Sequence, residues 1–185
     1  VDFKDNDSVT LKLKDGTEIK GEYDMVLDGK VDDVKSASPW SYKNKFNTFE
    51  TLANSDSFGY VSQLVGYAEA AGLDVGGWWV VNKANGEFKY VDASSVDKDA
   101  VIENIEDTVG YINEDKPFKR CFEAIPETHF RKQTGNLKLG SECGFCSFKH
   151  KCWPNLQTRT AVMSKAQNPP MVDYVLLSPE YAETH

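Results

Sequence analysis

Two aspartates and a lysine, Asp24, Asp33 and Lys35, are spaced so that a tight hairpin would bring them to one face of a sheet. Asp28-Gly29 is typical of a two-residue hairpin turn, and this turn sets Asp24 opposite Asp33. Side chains alternate along a strand, so Lys35 shares that face and Asp32 points to the other. Directly opposed carboxylates destabilise a sheet unless a cation binds between them. The register therefore predicts a Mg²⁺ or Mn²⁺ site able to polarise a phosphodiester, with an exposed turn of three solvated charges as the alternative.

Gln63 and Tyr67 form a second candidate pair, because residues four apart lie on the same face of a helix. Apolar spacing predicts that helix from about Phe58 to Ala71, where Gly72 can end it. Beside a metal site, the pair could contact a DNA phosphate or orient the nucleophile. The alternative is that Tyr67 packs in the core and Gln63 is an ordinary surface residue.

The four cysteines fall within 32 positions, as Cys143-x₂-Cys146-x₅-Cys152 with Cys121 upstream. This spacing predicts a four-thiolate site for zinc or an iron–sulfur cluster. Disulfides and buried free thiols are the alternatives, although nothing signals secretion. Zinc sites more often use two Cys-x-x-Cys motifs, and the single one here favours a cluster. The histidines form no ligand pair at helical spacing (His129, His150 and His185).

The remaining patterns predict an α/β fold with a mixed, mainly antiparallel central sheet of about five strands flanked by helices, followed by a Cys-rich C-terminal segment. The expected strands are Val9–Leu13, Glu18–Leu27, Lys30–Ala37, Trp78–Lys83 and Phe88–Val91. A second helix is expected at Asp97–Ile112, a loop at Trp40–Phe49 with a short helical turn as the alternative, and an extended or partly ordered tail from Gln167 onward. This organisation divides the chain into a core at 1–115, a basic cysteine segment at 116–165 and a tail at 166–185.

Charge is distributed unevenly over the 185 residues, whose net charge is −8. Between Lys116 and Lys165, ten Lys/Arg residues face three acids. Such a segment suits a nucleic-acid backbone, and a merely solvated basic face is the alternative. The sequence shows no apolar run of membrane-spanning length and no secretion leader, so we expect no membrane partner.

Three of these motifs, taken in order, resemble those of the PD-(D/E)XK nuclease superfamily. Gly21-Glu22-Tyr23-Asp24, Asp33-Val34-Lys35 and Gln63-Leu64-Val65-Gly66-Tyr67 match the GxxD, (D/E)xK and QhxxY motifs of its RecB-like branch. The cysteine motif is similar to that of iron–sulfur members such as the AddB nuclease domain, the CRISPR-adaptation nucleases and phage exonucleases. The resemblance covers about residues 10–155.

The resemblance implies a restriction-endonuclease-like core in which Asp24 and Asp33 bind Mg²⁺ or Mn²⁺, with the Val34 carbonyl as a further ligand. Lys35 would be the catalytic lysine, and Gln63 and Tyr67 would lie beside the DNA. A [4Fe-4S] cluster, with Zn²⁺ as the alternative, would be held by all four thiols (Cys121, Cys143, Cys146 and Cys152). The family usually carries a further motif on a helix before the first hairpin, so the core is expected to lack its N-terminal helical part.

The function implied is a Mg²⁺- or Mn²⁺-dependent deoxyribonuclease, an exonuclease more than an endonuclease, in recombination, repair or phage DNA processing. DNA is the expected partner, with a helicase or recombination protein beside it, in the cytoplasm of a bacterium or phage host. The alternatives are a catalytically incomplete Cys₄ DNA-binding protein, stabilised by zinc or a cluster, and a structure-specific endonuclease on the same fold.

Overall fold

The computed structural model describes residues 2–117 and 119–182. The chain divides into two compact units, Val1–Lys116 and Pro117–His185, and each is described by itself. No helix in the described ranges is long and apolar enough to cross a lipid bilayer.

The first unit is built on a five-stranded sheet. Its strands, in sheet order, are β1 (Phe3–Lys4), β4 (Met25–Leu27), β5 (Lys30–Ala37), β6 (Asp74–Asn82) and β7 (Phe88–Asp92). A separate antiparallel pair consists of β2 (Asp7–Lys12) and β3 (Glu18–Tyr23). Strands β5 and β6 run parallel and the other neighbours in the sheet run antiparallel, which confirms the predicted mixed, mainly antiparallel sheet.

Helices α1 (Pro39–Asn44), α2 (Phe49–Ala53), α3 (Tyr60–Ala71) and α4 (Lys98–Asn113) complete this unit. The Asp56 carboxylate caps α3 by accepting hydrogen bonds from the backbone amides of Tyr60 and Val61 at 2.9 and 2.8 Å. Gly72 ends the helix in the left-handed region at φ 66°. Its buried face joins apolar residues of the sheet in the core (Leu64, Val65, Ala68, Val31, Trp78 and Val80).

The structure refines three local expectations for this unit. The strand expected at Glu18–Leu27 breaks at Asp24, where the chain leaves β3 and enters the sheet at β4. The stretch Trp40–Phe49 takes the helical alternative to a loop: it holds most of α1 and the start of α2, because Ser38 and Thr48 cap these short helices. The strand expected to begin at Trp78 begins at Asp74, so Gly76 and Gly77 lie inside β6.

The second unit contains a four-stranded antiparallel sheet in the order β10-β11-β9-β8. Its strands are β8 (Ile125–His129), β9 (Lys132–Lys138), β10 (Gln157–Thr160) and β11 (Met171–Leu176). Three one-turn helices accompany them, α5 (Ser141–Gly144), α6 (Lys149–Cys152) and α7 (Pro179–Ala182).

The expected tail at 166–185 is ordered over residues 171–176, where it forms a strand of the sheet. Strand β11 lies between β10 and β9, and its Tyr174 is fully buried. Pro169 and Pro170 lie just before the first residue of the strand, so they do not interrupt its hydrogen-bonded ladder. The last three positions, which include His185, lie outside the described residues.

Candidate functional site

The hairpin β4–β5 has the register that the sequence predicts. Met25 pairs with Asp32, Val26 with Val31, and Leu27 with Lys30. Both turn residues have positive φ, 48° at Asp28 and 79° at Gly29, as a type I′ turn requires. The ladder is regular over these three pairs, so successive side chains alternate between the two faces of the sheet, as predicted.

Asp24 lies just beyond the last residue pair of the ladder, and its side chain, instead of its backbone, bonds to β5. Its Oδ2 accepts a hydrogen bond from the backbone amide of Val34 at 2.7 Å. This contact fixes the Asp24 carboxylate next to the segment Asp33-Val34-Lys35. The bend at Asp24, which the alternation pattern missed, therefore positions the carboxylate.

Asp33 is 3% exposed and forms an ion pair with Lys35, whose Nζ lies 2.5 Å from Asp33 Oδ2. Apart from this ammonium, no donor in the described ranges bonds to that oxygen. Burial raises the pKa of Asp33, and the neighbouring Asp24 carboxylate raises it further, while Lys35 opposes the rise. The site thus holds two carboxylates in contact and one buried oxygen with unused acceptor capacity.

Lys35 is also joined to helix α3. Its Nζ donates to Gln63 Oε1 at 3.1 Å, and Gln63 Nε2 donates to the Tyr67 hydroxyl at 3.0 Å. The Tyr60 ring faces the same ammonium, 5.4 Å from its centroid. The four predicted residues Asp33, Lys35, Gln63 and Tyr67 therefore form one continuous polar chain, which we call the Asp33–Tyr67 chain.

Gly21 has a role that the sequence reading did not assign. A Cβ atom at this position would overlap the Tyr67 ring. Strand β3 can therefore pass next to the ring only because residue 21 has no side chain. Gln63 and Tyr67 also line a cavity of about 280 Å³, together with residues of β2 and β3 that include Val9, Leu11 and Ile19.

Asp32, on the opposite face of the sheet, is buried and fully hydrogen-bonded. Its Oδ1 accepts from the Gly77 amide at 2.8 Å and the Tyr90 hydroxyl at 2.9 Å, and its Oδ2 accepts from Trp79 Nε1 at 3.1 Å. A side chain at Gly76 would collide with this carboxylate. The Gly76-Gly77 pair in β6 is the feature of the sequence that could have indicated this packing. The packing keeps Asp32 away from the candidate metal site.

The cysteine segment lies in the second unit, where all four thiols are free. Burial raises the pKa of the Cys143 thiol, and the charges of Cys146, Cys152, Glu142 and Cys121 add to the rise. The backbone amide of Phe148 donates to Cys146 Sγ at 3.4 Å. The four thiols therefore interact electrostatically within one neighbourhood.

Arg120 connects Cys121 to the other cysteines. Its Nε donates to the Cys152 carbonyl at 3.0 Å, and its guanidinium lies 3.8 Å from the centroid of the Trp153 ring. Because Cys121 follows Arg120 directly, these contacts bring its backbone to the end of α6. Trp153 is buried, so it provides a fixed platform for this arginine.

Lys149 ties helix α6 to the sheet of the second unit. Its Nζ lies 2.7 Å from Asp173 Oδ2, and Thr158 Oγ1 donates to Asp173 Oδ1 at 2.5 Å. Burial opposes ionisation of Asp173, but the hydrogen bonds from Lys149 and Thr158 outweigh it and lower the pKa of this carboxyl. The helix that carries Cys152 therefore depends on β10 and β11.

In the part of the chain that the structure describes, no group of three or more His, Cys, Asp or Glu side chains is placed to hold one metal ion. The hairpin offers two carboxylates, and the cysteines are near one another without surrounding a single-ion centre. Comparison with known proteins adds no assignment: no protein-family model matches this chain, and no curated protein matches it.

Proposed function

We propose that this chain is a metal-dependent DNA nuclease of the PD-(D/E)XK superfamily, from its RecB-like branch, that hydrolyses phosphodiester bonds. The Asp33–Tyr67 chain, with Asp24 facing Asp33, is the observation that carries the proposal. It brings together residues from motifs that lie almost thirty positions apart. An exposed turn of solvated charges would not bury Asp33 or join Lys35 to a helix.

The hairpin suits Mg²⁺ or Mn²⁺. Asp33 Oδ2 has unused acceptor capacity, and Asp24 supplies a second carboxylate beside it. Mg²⁺ is commonly held by one or two carboxylates and keeps several waters, so two protein carboxylates with the Val34 carbonyl suffice. When bound, the cation polarises the phosphodiester and offsets the charge that develops in the transition state.

The side chains of the Asp33–Tyr67 chain then have distinct tasks. Lys35 presents a fixed ammonium that can donate a hydrogen bond to a phosphoryl oxygen as negative charge grows there. Gln63 holds that ammonium from one side and Asp33 from the other. Tyr67 keeps the Gln63 amide in the orientation that points Oε1 at Lys35. Removing any of these groups should loosen the lysine.

The four cysteines suit an iron–sulfur cluster better than zinc. Zinc sites more often use two Cys-x-x-Cys motifs, and this chain has a single one, at Cys143 and Cys146. The four thiols share one electrostatic neighbourhood, which either metal group needs. Cys121, Cys143, Cys146 and Cys152 would hold the cluster, and Phe148 would donate to a ligand sulfur.

The proposal is tested with linear and circular DNA in the presence of Mn²⁺, using protein purified without oxygen. We expect cleavage that requires a DNA end and that is lost in Asp33→Ala. Lys35→Ala should reduce the rate about 100- to 1,000-fold, the usual loss when one charge-stabilising donor is removed. Lys30→Ala, on the same strand but at the exposed turn, is the matched control and should cleave normally. Cleavage by Asp33→Ala at the wild-type rate would refute the assignment.

A catalytically incomplete DNA-binding protein is the second candidate. The observation that favours it is that, among the described residues, no third His, Cys, Asp or Glu joins the two carboxylates at the hairpin. A cation there would depend on a backbone oxygen and water for its other ligands. Wild-type protein that binds DNA but cleaves neither substrate with Mn²⁺ would support this candidate. Broad absorption near roughly 400 nm would identify the cysteine site as a cluster rather than zinc in either case. Cleavage of circular DNA would instead indicate an endonuclease.

A further inference from the structure

The tip of the β8–β9 hairpin carries an unusual turn. His129 pairs with Lys132, so Phe130 and Arg131 form a two-residue loop. Both have positive φ, 47° and 64°. We propose that this tip is a nucleic-acid contact in which the Phe130 ring stacks on an unpaired base of the DNA substrate; the inference rests on the nuclease function proposed above.

The backbone of the turn is the first reason. A turn with positive φ at both central positions favours Asn, Asp and Gly, and the β4–β5 hairpin of this chain uses Asp28-Gly29 for the same geometry. Phe130 and Arg131 adopt it at a cost, because a bulky side chain is strained at positive φ. Strain of this kind persists only where the surrounding structure imposes it.

The base of the hairpin supplies that rigid support. The buried Glu127 on β8 accepts hydrogen bonds from Asn136 Nδ2 at 2.7 Å and from the Tyr174 hydroxyl at 2.8 Å. These bonds join β8 to β9 and β11. The register of β8 against β9 also shifts beside Glu127, which turns its side chain inward. The tip is therefore held on a fixed stem.

The side chains at the tip are the second reason. Phe130 is 86% exposed, so burial of its ring does not compensate for the backbone strain. The His129 ring contacts it edge-on, with centroids 4.2 Å apart. Arg131 and Lys132 are exposed beside it and carry positive charge. An exposed aromatic ring flanked by cations is the arrangement that stacks on a base while its neighbours meet the phosphates.

A single-stranded oligonucleotide that carries 2-aminopurine tests the contact without any cleavage, in EDTA. We expect the wild-type protein to quench 2-aminopurine by stacking, and Phe130→Ala to bind about 5- to 100-fold more weakly without quenching. Phe130→Trp should restore both. Phe88→Ala removes another exposed phenylalanine that follows a hairpin turn, in the first unit, and should leave binding unchanged.

A second variant separates stacking from folding. Replacing the loop by Asn-Gly, as Phe130→Asn with Arg131→Gly, gives the turn its preferred residues and should raise the melting temperature while it weakens binding. Unchanged binding by both this variant and Phe130→Ala would overturn the inference. The inference would also be overturned if these variants lost binding to phosphatidylglycerol vesicles but still bound DNA like the wild type, since that result would assign the tip to an anionic membrane. Failure of cleavage with normal quenching would refute only the nuclease function.

Discussion

Asp32 and Asp33 are neighbours on β5 and equally buried, but they face opposite environments. Asp32 meets three donors, one from the backbone and two from aromatic side chains, and none of them is charged. Asp33 meets an ammonium and a second carboxylate. A buried carboxylate that satisfies its acceptors stabilises a fold, whereas one that faces another acid is costly until a cation arrives. The two residues should therefore respond differently to the same substitution.

We predict that Asp32→Asn lowers the free energy of unfolding by about 2–3 kcal/mol, because an amide NH₂ would face donors where a carboxylate oxygen accepts. Asp33→Asn should leave the metal-free protein as stable as the wild type or more so, while it abolishes cleavage. Urea unfolding of both variants at pH 7 measures the difference. An equal loss of stability in the two variants would contradict the separation of roles.

The pH dependence of stability follows from the raised pKa of Asp33. The folded state holds this proton more tightly than the unfolded state, whose carboxyl titrates near 3.8. Stability from the protonated form is present at low pH and falls as pH rises through the folded pKa. We predict that Mg²⁺ or Mn²⁺ restores the lost stability at pH values above the folded pKa. Asp33→Asn should show neither the loss with rising pH nor the recovery with metal. Melting temperatures across a pH series, with the metal and with EDTA, test this prediction.

At the scale of elements, the site depends on how closely strand β3 approaches helix α3. Gly21 allows the Tyr67 ring to lie against the strand, and the ring in turn orients Gln63. The hairpin alone would present Lys35 without its partner from the helix. The first motif thus contributes a contact surface as well as a carboxylate.

Gly21→Ala should therefore destabilise the first unit by about 1–3 kcal/mol and reduce cleavage, since the Tyr67 ring must move away from Gln63. The double variant Gly21→Ala with Tyr67→Ala should cost less than the sum of the two single changes, because the overlap is gone. Denaturant unfolding of the four proteins gives the coupling. Strict additivity would show that the two residues do not meet.

A second element-scale prediction concerns the anchor of α6. Lys149→Met removes the partner of Asp173 and should destabilise the second unit by about 1–3 kcal/mol. Asp173 has a lowered pKa, so its contribution is present above the unfolded value of 3.8 and is lost as pH falls through the folded pKa. The variant should lose this acid-sensitive part. Lys151→Met, exposed on the same helix, is the control for unfolding measurements.

At the scale of the whole molecule, the chain consists of two units, and the second is closed by its last strand. Strand β11 pairs on both sides, and Tyr174 hydrogen-bonds to Glu127 and to the Val162 amide. The segment that would hold the cluster is therefore bonded to a strand that follows it in the sequence, through Lys149 and Asp173. The two ends of the unit are interdependent.

We predict that a chain ending at Ala166 loses the second unit. Its four thiols should react rapidly with a thiol reagent, and it should retain no iron, while the first unit keeps its helical circular dichroism. Tyr174→Phe, which removes only the hydroxyl, is the milder comparison and should retain iron with reduced stability. Retention of iron by the truncated chain would show that β11 is dispensable.

The sequence by itself determined the features set by local geometry. A two-residue turn and the alternation of side chains decide which residues of β4 and β5 face each other, so the shared face of Asp33 and Lys35, opposite to that of Asp32, follows from Asp28-Gly29. Helix α3 follows from its apolar spacing and its cap. The bend at Asp24, the glycine that admits Tyr67, the buried role of Asp32 and the strand at 171–176 depend on partners distant in sequence. Only the tertiary structure decided them, because strand pairing and close packing are settled by which segments meet.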